Sequence, residues 1–258
     1  MKSSILIKKK DKFFVEDVCI ESIIEKFGTP TYIYSKQRIV DNFKNLESAF
    51  KNVDHLICFA VKANSNLAIL NLLAKNGAGF DIVSGGELRR VIAANGDPKK
   101  IVFSGVGKTS EEIKLAIENN ILAFNIESED ELIRIQEIAK SLNKKASISI
   151  RVNPDVNANT HPYISTGLKE NKFGVSEESA LILYKKAKKM DSILIKGIDC
   201  HIGSQITDLK PFEDSVKKLI ALIDKLEVEG IKIKHMDIGG GIGISYEDEK
   251  AIPFDDYA

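Results

Sequence analysis

The chain has 258 residues, and its 37 lysines and arginines balance 37 aspartates and glutamates to a formal net charge of +0. No field of one sign draws it toward nucleic acid or an anionic membrane, so a small molecule is the expected partner. The length suits one large domain or two small ones, and an α/β barrel commonly fills about this span.

Cys19, Cys58 and Cys200 lie far apart and in no C-x-x-C pair, which indicates neither a disulfide framework nor a thiolate zinc site. The N-terminus is basic but carries no apolar h-region of the usual length. The best apolar cluster, Leu67 to Ala74, is short and broken by Asn71. A soluble protein of the reducing cytoplasm, without a membrane partner, is expected.

In chain order, Ile5 to Ile7 and Phe13 to Val15 are apolar patches around the charged run Lys8 to Lys12, the pattern of strand, turn and strand. A short helix is predicted from Glu21 to Phe27, ended by Gly28 with Pro30 beyond it. Residues 1–30 read as a segment apart, and residues 31–258 as the main body. Thr31 to Tyr34 is β-prone. Ser35 can cap a helix that carries Ile39, Val40, Phe43, Leu46 and Phe50 at helical spacing.

From Leu56 a strand-then-helix rhythm sets in. The predicted strands are Leu56 to Val61, Gly79 to Val83, Ile101 to Ser104, Leu122 to Ile126, Ser147 to Val152, Lys196 to His201 and His235 to Ile238. Between them the pattern predicts helices at Leu67 to Lys75, Gly86 to Ala94, Ser110 to Asn119, Glu129 to Leu142, Glu177 to Met190 and Pro211 to Glu229. Thr109 with Glu112, and Ser128 with Glu131, have capping-box spacing.

Regular early spacing, and the lack of a nucleotide fingerprint at the first turn, favour a parallel (β/α)8 barrel over a doubly wound sheet. The spacing breaks at 153–176, a polar insertion with Pro154, Asp155, His161, Pro162, Tyr163, Ser165, Thr166 and Gly167. Such loops on a barrel's active rim usually serve function. A closed barrel needs an eighth strand, and the chain reaches Ala258 within whatever follows the seventh. It reads as the N-terminal portion of a longer protein.

Several residues fall at the carboxyl ends of predicted strands, where barrels place their chemistry. Leu56 to Val61 is uncharged and shows no alternation, which suits a strand buried on both faces, and Lys62 closes it. A lysine whose stem lies in an apolar pocket makes a nucleophilic free amine accessible, as Schiff-base chemistry requires. The plainer alternative is a lysine snorkelling to water.

His201 follows Cys200 at another strand end and has a structural reading as well as a functional one. Arg151, in Arg151-Val152-Asn153-Pro154-Asp155, either serves a ligand or forms a salt bridge across the barrel mouth to Asp81. Glu87 has capping-box spacing to Ser84, which is a purely local duty.

Two motifs are decoys. Ser104 to Thr109 resembles a phosphate loop, but Val102 stands where that pattern needs its first glycine. Gly239-Gly240-Gly241-Ile242-Gly243 follows a strand, but Ile244 replaces the third glycine of a dinucleotide fingerprint. Its bare amides still suit an anion.

Taken together, Phe59 to Asn64 (FAVKAN), Phe80 to Glu87 (FDIVSGGE), Arg151 to Pro154, His161 to Gly174 (HPYISTGLKENKFG), His201 to Gln205 and Gly239 to Gly241 stand in the order of a known family. The chain resembles the barrel-type pyridoxal-phosphate decarboxylases, and within them the diaminopimelate decarboxylases. The 161–174 run and Gln205 favour that branch.

The resemblance implies an α/β fold, a (β/α)8 TIM-type barrel of the alanine racemase-like kind, lacking here the eighth strand and a C-terminal β-domain. It implies pyridoxal 5'-phosphate held by Lys62 through a Schiff base, with His201 stacked on the ring. Ser204 and the amides of Gly239, Gly240 and Gly241 would hold the phosphate. Asp81, Glu87 and Arg151 would line the cofactor. Lys62 and His201 would be catalytic, in the decarboxylation of meso-2,6-diaminopimelate to L-lysine and CO2.

A homodimer is implied as well, with residues 1–30 packing on the β-domain and no metal at the site. The family's Glu-Pro-Gly-Arg segment and the cysteine donated across the dimer are absent, so the 258-residue chain is expected to be inactive and poorly stable alone. An ornithine, arginine or carboxynorspermidine-type decarboxylase, or a non-catalytic pyridoxal-phosphate-binding protein, are the alternatives.

Overall fold

The computed structural model describes residues 5–156, 173–246 and 251–258. Two compact units are present, Met1–His55 and Leu56–Ala258.

The first unit opens with an antiparallel sheet of β1 (Leu6–Lys9), β2 (Lys12–Val15) and β3 (Val18–Cys19). The sequence reading anticipated the first two strands and missed the third, which is only two residues long. Helix α1 (Ile20–Phe27) ends at Gly28. Helix α2 (Lys36–Ala49) starts where Ser35 Oγ accepts from the Arg38 amide at 3.0 Å. Residues 31–35 form no strand, contrary to expectation. Their side chains are β-prone, but no strand pairs with them among the described residues, and Tyr32 is exposed.

The second unit carries the rhythm read from sequence. It runs β4 (Cys58–Ala60), α3 (Leu67–Lys75), β5 (Gly79–Ile82), α4 (Gly85–Ala93), β6 (Ile101–Phe103), α5 (Ser110–Glu118), β7 (Ala123–Ile126) and α6 (Glu129–Ser141). It continues with β8 (Ala146–Arg151), α7 (Glu177–Ala187), β9 (Ile193–Asp199), α8 (Lys210–Val228), β10 (His235–Asp237) and a short α9 (Phe254–Tyr257).

Helix starts are set by side chains. Thr109 and Glu112 form the reciprocal capping box, each reaching the other's amide. At α6 the Ser128 hydroxyl caps the Glu131 amide, while the Glu131 carboxylate turns to the amide of Glu127.

All seven strands pair in parallel and in chain order, β4 beside β5 through to β9 beside β10. This is a (β/α)8 architecture with seven of its strands present and β4 and β10 as edges. The expectation that Leu56 to Val61 is buried on both faces fails for that reason. The strand shortens to Cys58–Ala60, only half-buried, and Leu56 is exposed.

Alternation assigns the two faces of the sheet. Phe80, Ile82, Phe103, Phe124, Ile126, Ile148, Ile150 and Ile198 are at most 1% exposed and form the apolar side that the helices cover. The intervening residues include Asp81, Ser104, Asn125, Ser149, Arg151, Asp199, His235 and Asp237, with Val102 and Ala123 among them, so the other face is mainly polar. Asn125 Nδ2 lies 3.5 Å from Asp237 Oδ2, although β7 and β10 are three strand spacings, about 14 Å, apart along a flat sheet. The sheet therefore curls, with its polar face inward.

Candidate functional site

Lys62 sits in a 3-10 turn, Val61–Ala63, directly after β4. Val61 is fully buried and pins the turn, while Lys62 itself is exposed. The apolar pocket envisaged for its stem is not present, because β4 is an edge strand. The ammonium still acts electrostatically on two other predicted residues, Asp81 and His201.

Asp81 points from β5 into the polar interior. Burial, opposed by a hydrogen bond from Ser104 and reinforced by Asp237, pushes its carboxyl up to about 6. Its Oδ1 has no hydrogen-bond partner. His201 follows β9, and burial first, then the charges of Arg151 and Lys62, depress its pKa to about 4. The imidazole is neutral at physiological pH.

Arg151 closes β8 inside a charged rung. Its Nη1 donates to Glu127 Oε1 at 3.2 Å, and its Nε lies 3.7 Å from Asp199 Oδ2. The salt bridge considered from sequence therefore forms, with Glu127 and Asp199 in place of Asp81. Asp199 pairs in register with Arg151 on one side and Asp237 on the other. Complete burial and the nearby Asp237 hold the Asp199 carboxyl well above the usual range.

The glycine run folds back on the segment after His201. Gly239 N donates to Asp237 Oδ1 at 2.9 Å, and Ile206 N and Gly241 O are bonded at 2.9 Å. Gly241 has φ +103°, and a Cβ there would meet Gly203 O at 2.0 Å, so only glycine fits. A Cβ on Gly240 would meet nothing within 4 Å, which leaves open space above its backbone. Gln205 brackets the run, donating to Ile244 O and accepting from Ile244 N, both at 3.0 Å.

Lys62, Asp81, Arg151 and His201 thus form one electrostatic neighbourhood, with Gly239 and Gly241 packed against His201. Ser204 lies beside it with an exposed hydroxyl. Glu87 does not join: its carboxylate accepts from the Val83 amide at 2.7 Å, and its own amide donates to Ser84 Oγ. The phosphate-loop decoy is also explained. Lys108, 3% exposed, spends its ammonium on Gly105 O, Asn125 O and Glu131 Oε1. The predicted specificity run 161–174 lies outside the described residues except for Phe173 and Gly174.

Glu127, Asn125, Asp199 and Asp237 were missed from sequence. The available signal was the alternation Phe-Asn-Ile in β7, Ile-Asp in β9 and Met-Asp in β10, which marks a polar lumen. Among the described residues, Asp81 Oδ1, Asn125 Oδ1 and Arg151 Nε are buried without hydrogen-bond partners. Two of these atoms accept and one donates, so they suit a polar group that carries both a donor and an acceptor, while the open backbone at Gly240 suits an anion; pyridoxal phosphate has both kinds of group.

Residues 36–258 match the family described as pyridoxal-dependent decarboxylase, pyridoxal binding domain. The chain is 53% identical to the diaminopimelate decarboxylase of Pseudomonas aeruginosa, over 95% of this chain and 59% of that protein. It is 54% identical to that of Haemophilus influenzae, over 97% of this chain and 60% of that protein. The crystal structure of diaminopimelate decarboxylase from Helicobacter pylori complexed with L-lysine superposes with a TM-score of 0.89 at 48% identity, covering 92% of this chain and 60% of that one. The chain therefore spans about 60% of the length of these relatives. On the strength of the matched 36–258 span and its curled parallel sheet, the chain belongs to the pyridoxal-binding domain family of the pyridoxal-dependent decarboxylases.

Proposed function

We propose that this chain is the cofactor-binding part of an enzyme that removes a carboxylate from meso-2,6-diaminopimelate, giving L-lysine and CO2 in lysine biosynthesis. The carrying observation is the neighbourhood of Lys62, Asp81, Arg151 and His201 at the carboxyl ends of barrel strands, in a chain about half identical to diaminopimelate decarboxylases. L-lysine in the Helicobacter pylori structure fits the product of this reaction.

When bound, pyridoxal phosphate supplies a carbonyl for an amine and a conjugated ring that accepts the electron pair left as a carboxylate departs. Lys62 offers the primary amine at the open rim. Asp81 sets a carboxyl, poised by burial, against that ammonium. His201, kept neutral, presents a flat face for a ring to lie on. The amides around Gly240 and the hydroxyl of Ser204 suit the phosphate. Arg151 keeps a fixed positive charge at the site because Glu127 and Asp199 restrain it. In this reading Glu87 acts on the site through the backbone of Val83.

The same reading carries a homodimer and a cytoplasmic location. No described helix is long and apolar enough to cross a membrane. It treats residues 31–258 as the barrel body and residues 1–30, with Ile5, Leu6, Ile7 and Phe13 over 40% exposed, as the face for a further β-domain. Borohydride reduction of the cofactor-loaded full gene product, then peptide mapping, should place the label on Lys62, and Lys62→Ala should lower diaminopimelate turnover by at least about 1,000-fold. Turnover that survives Lys62→Ala, or a preference for ornithine or arginine, would overturn the assignment.

A further inference from the structure

Glu127 lies just past the end of β7, and its side chain is only 4% exposed. A carboxylate this deep needs partners for both oxygens, and each finds one on a different element. Oε1 accepts from Arg151 Nη1 at 3.2 Å, and Oε2 accepts from the Gly174 amide at 3.0 Å. The base of the side chain is fixed too. The Glu127 amide donates to Glu131 Oε2 at 2.8 Å, and Glu131 Oε1 is held by the buried ammonium of Lys108 at 2.6 Å.

The segment gripped at Gly174 is tied to Arg151 in two further ways and to Asn153 in one. Val175 N donates to Arg151 O at 2.9 Å, and Asn153 N donates to Val175 O at 2.8 Å. The Phe173 ring centre lies 5.6 Å from the Arg151 guanidinium carbon, within cation-π range. Gly174 has φ +92°, and a Cβ there would sit 2.9 Å from Arg151 O, so the approach requires glycine.

We propose that Glu127 is a positioning residue whose two carboxylate oxygens fix, at once, the guanidinium of Arg151 and the backbone at Gly174. It thereby sets where the chain rejoins the barrel after residue 172 in relation to the arginine that faces the cofactor. The cofactor half of this statement rests on the function proposed above; the Gly174 half does not.

The test uses the full gene product, with and without pyridoxal phosphate. Glu127→Gln keeps the shape, but it removes the charge that strengthens both contacts and its amide nitrogen cannot accept a hydrogen bond, so both contacts are weakened or lost. Hydrogen exchange in cofactor-free protein should rise about tenfold in peptides covering 173–176 and stay unchanged in β8. The dissociation constant for pyridoxal phosphate, read from its visible absorbance, should rise about tenfold.

Gly174→Ala keeps the carboxylate charge and lifts the segment, so it should reproduce the exchange increase with a smaller loss of cofactor affinity. It decides the matter should Glu127→Gln fail to fold. Unchanged exchange at 173–176 in either folded variant overturns the proposal, as does an increase shared equally by β8. If the unaltered protein binds no pyridoxal phosphate, the functional reading fails while the exchange measurements still decide the role of Glu127.

Discussion

The edge of the sheet and its middle solve different problems. At β4 a short, half-buried strand ends in an exposed lysine. At β7 to β9, three strands inward, Glu127, Arg151 and Asp199 stand in a buried rung in which the arginine is flanked on both sides by carboxyl groups. The middle of the sheet is organised by the protein itself. The edge presents an exposed amine that takes no part in that buried rung.

The sharpest break in that comparison is a pair of substitutions. Arg151→Met leaves the Glu127 carboxylate buried without its cation and should cost about 3–5 kcal/mol of unfolding free energy. Lys62→Met should change stability by less than about 0.5 kcal/mol. Urea titration of both variants of the cofactor-free full gene product checks the contrast, and similar costs would erase the distinction.

pH separates two interior groups by sign. The folded pKa of His201 is about 4, below its ordinary value, so the unfolded chain protonates first as pH falls. The stability linked to it is complete above about pH 6.5 and is lost toward pH 4, a change of about 3 kcal/mol at most. His201→Gln should flatten that part of the profile.

Asp81, with a folded pKa of about 6, gives the opposite slope. The unfolded carboxyl ionises first, so stability falls as pH rises from about 4 to 6. Asp81→Asn should be more stable than the unaltered protein by up to about 3 kcal/mol above pH 6 and equal to it below pH 4. Thermal unfolding across pH resolves both effects, and parallel profiles would refute the assignment of these groups to the interior.

Much of the fold was legible because it is written locally. Ser35, Thr109 and Ser128 cap the helices that their spacing announced, and the order of strands follows from the βα rhythm. The candidate site was legible in part. Lys62, Asp81, Arg151, His201 and the glycine run were singled out by strand-end placement and motif, and the structure gathers them into one neighbourhood, whereas the Glu87 carboxylate accepts from the Val83 amide.

The polar lumen was harder to read. Asn125 interrupts an apolar strand, and Asp199 and Asp237 close theirs; a single polar residue so placed does not reveal which face it occupies until the sheet curls and sets it against its opposite number. Glu127 was hidden for a related reason: its partners are 24 and 47 residues away, and no local period links them.

The bracket that Gln205 makes around Ile244 has a consequence for ageing. The glycines beside it contribute no side chains to hold their own loop, so the carboxamide adds a donor and an acceptor to the backbone bonds there. Deamidation would turn the donor into an oxygen facing the Ile244 carbonyl. Slow hydrolysis at this single side chain would then loosen the glycine turn while every strand around it stayed intact.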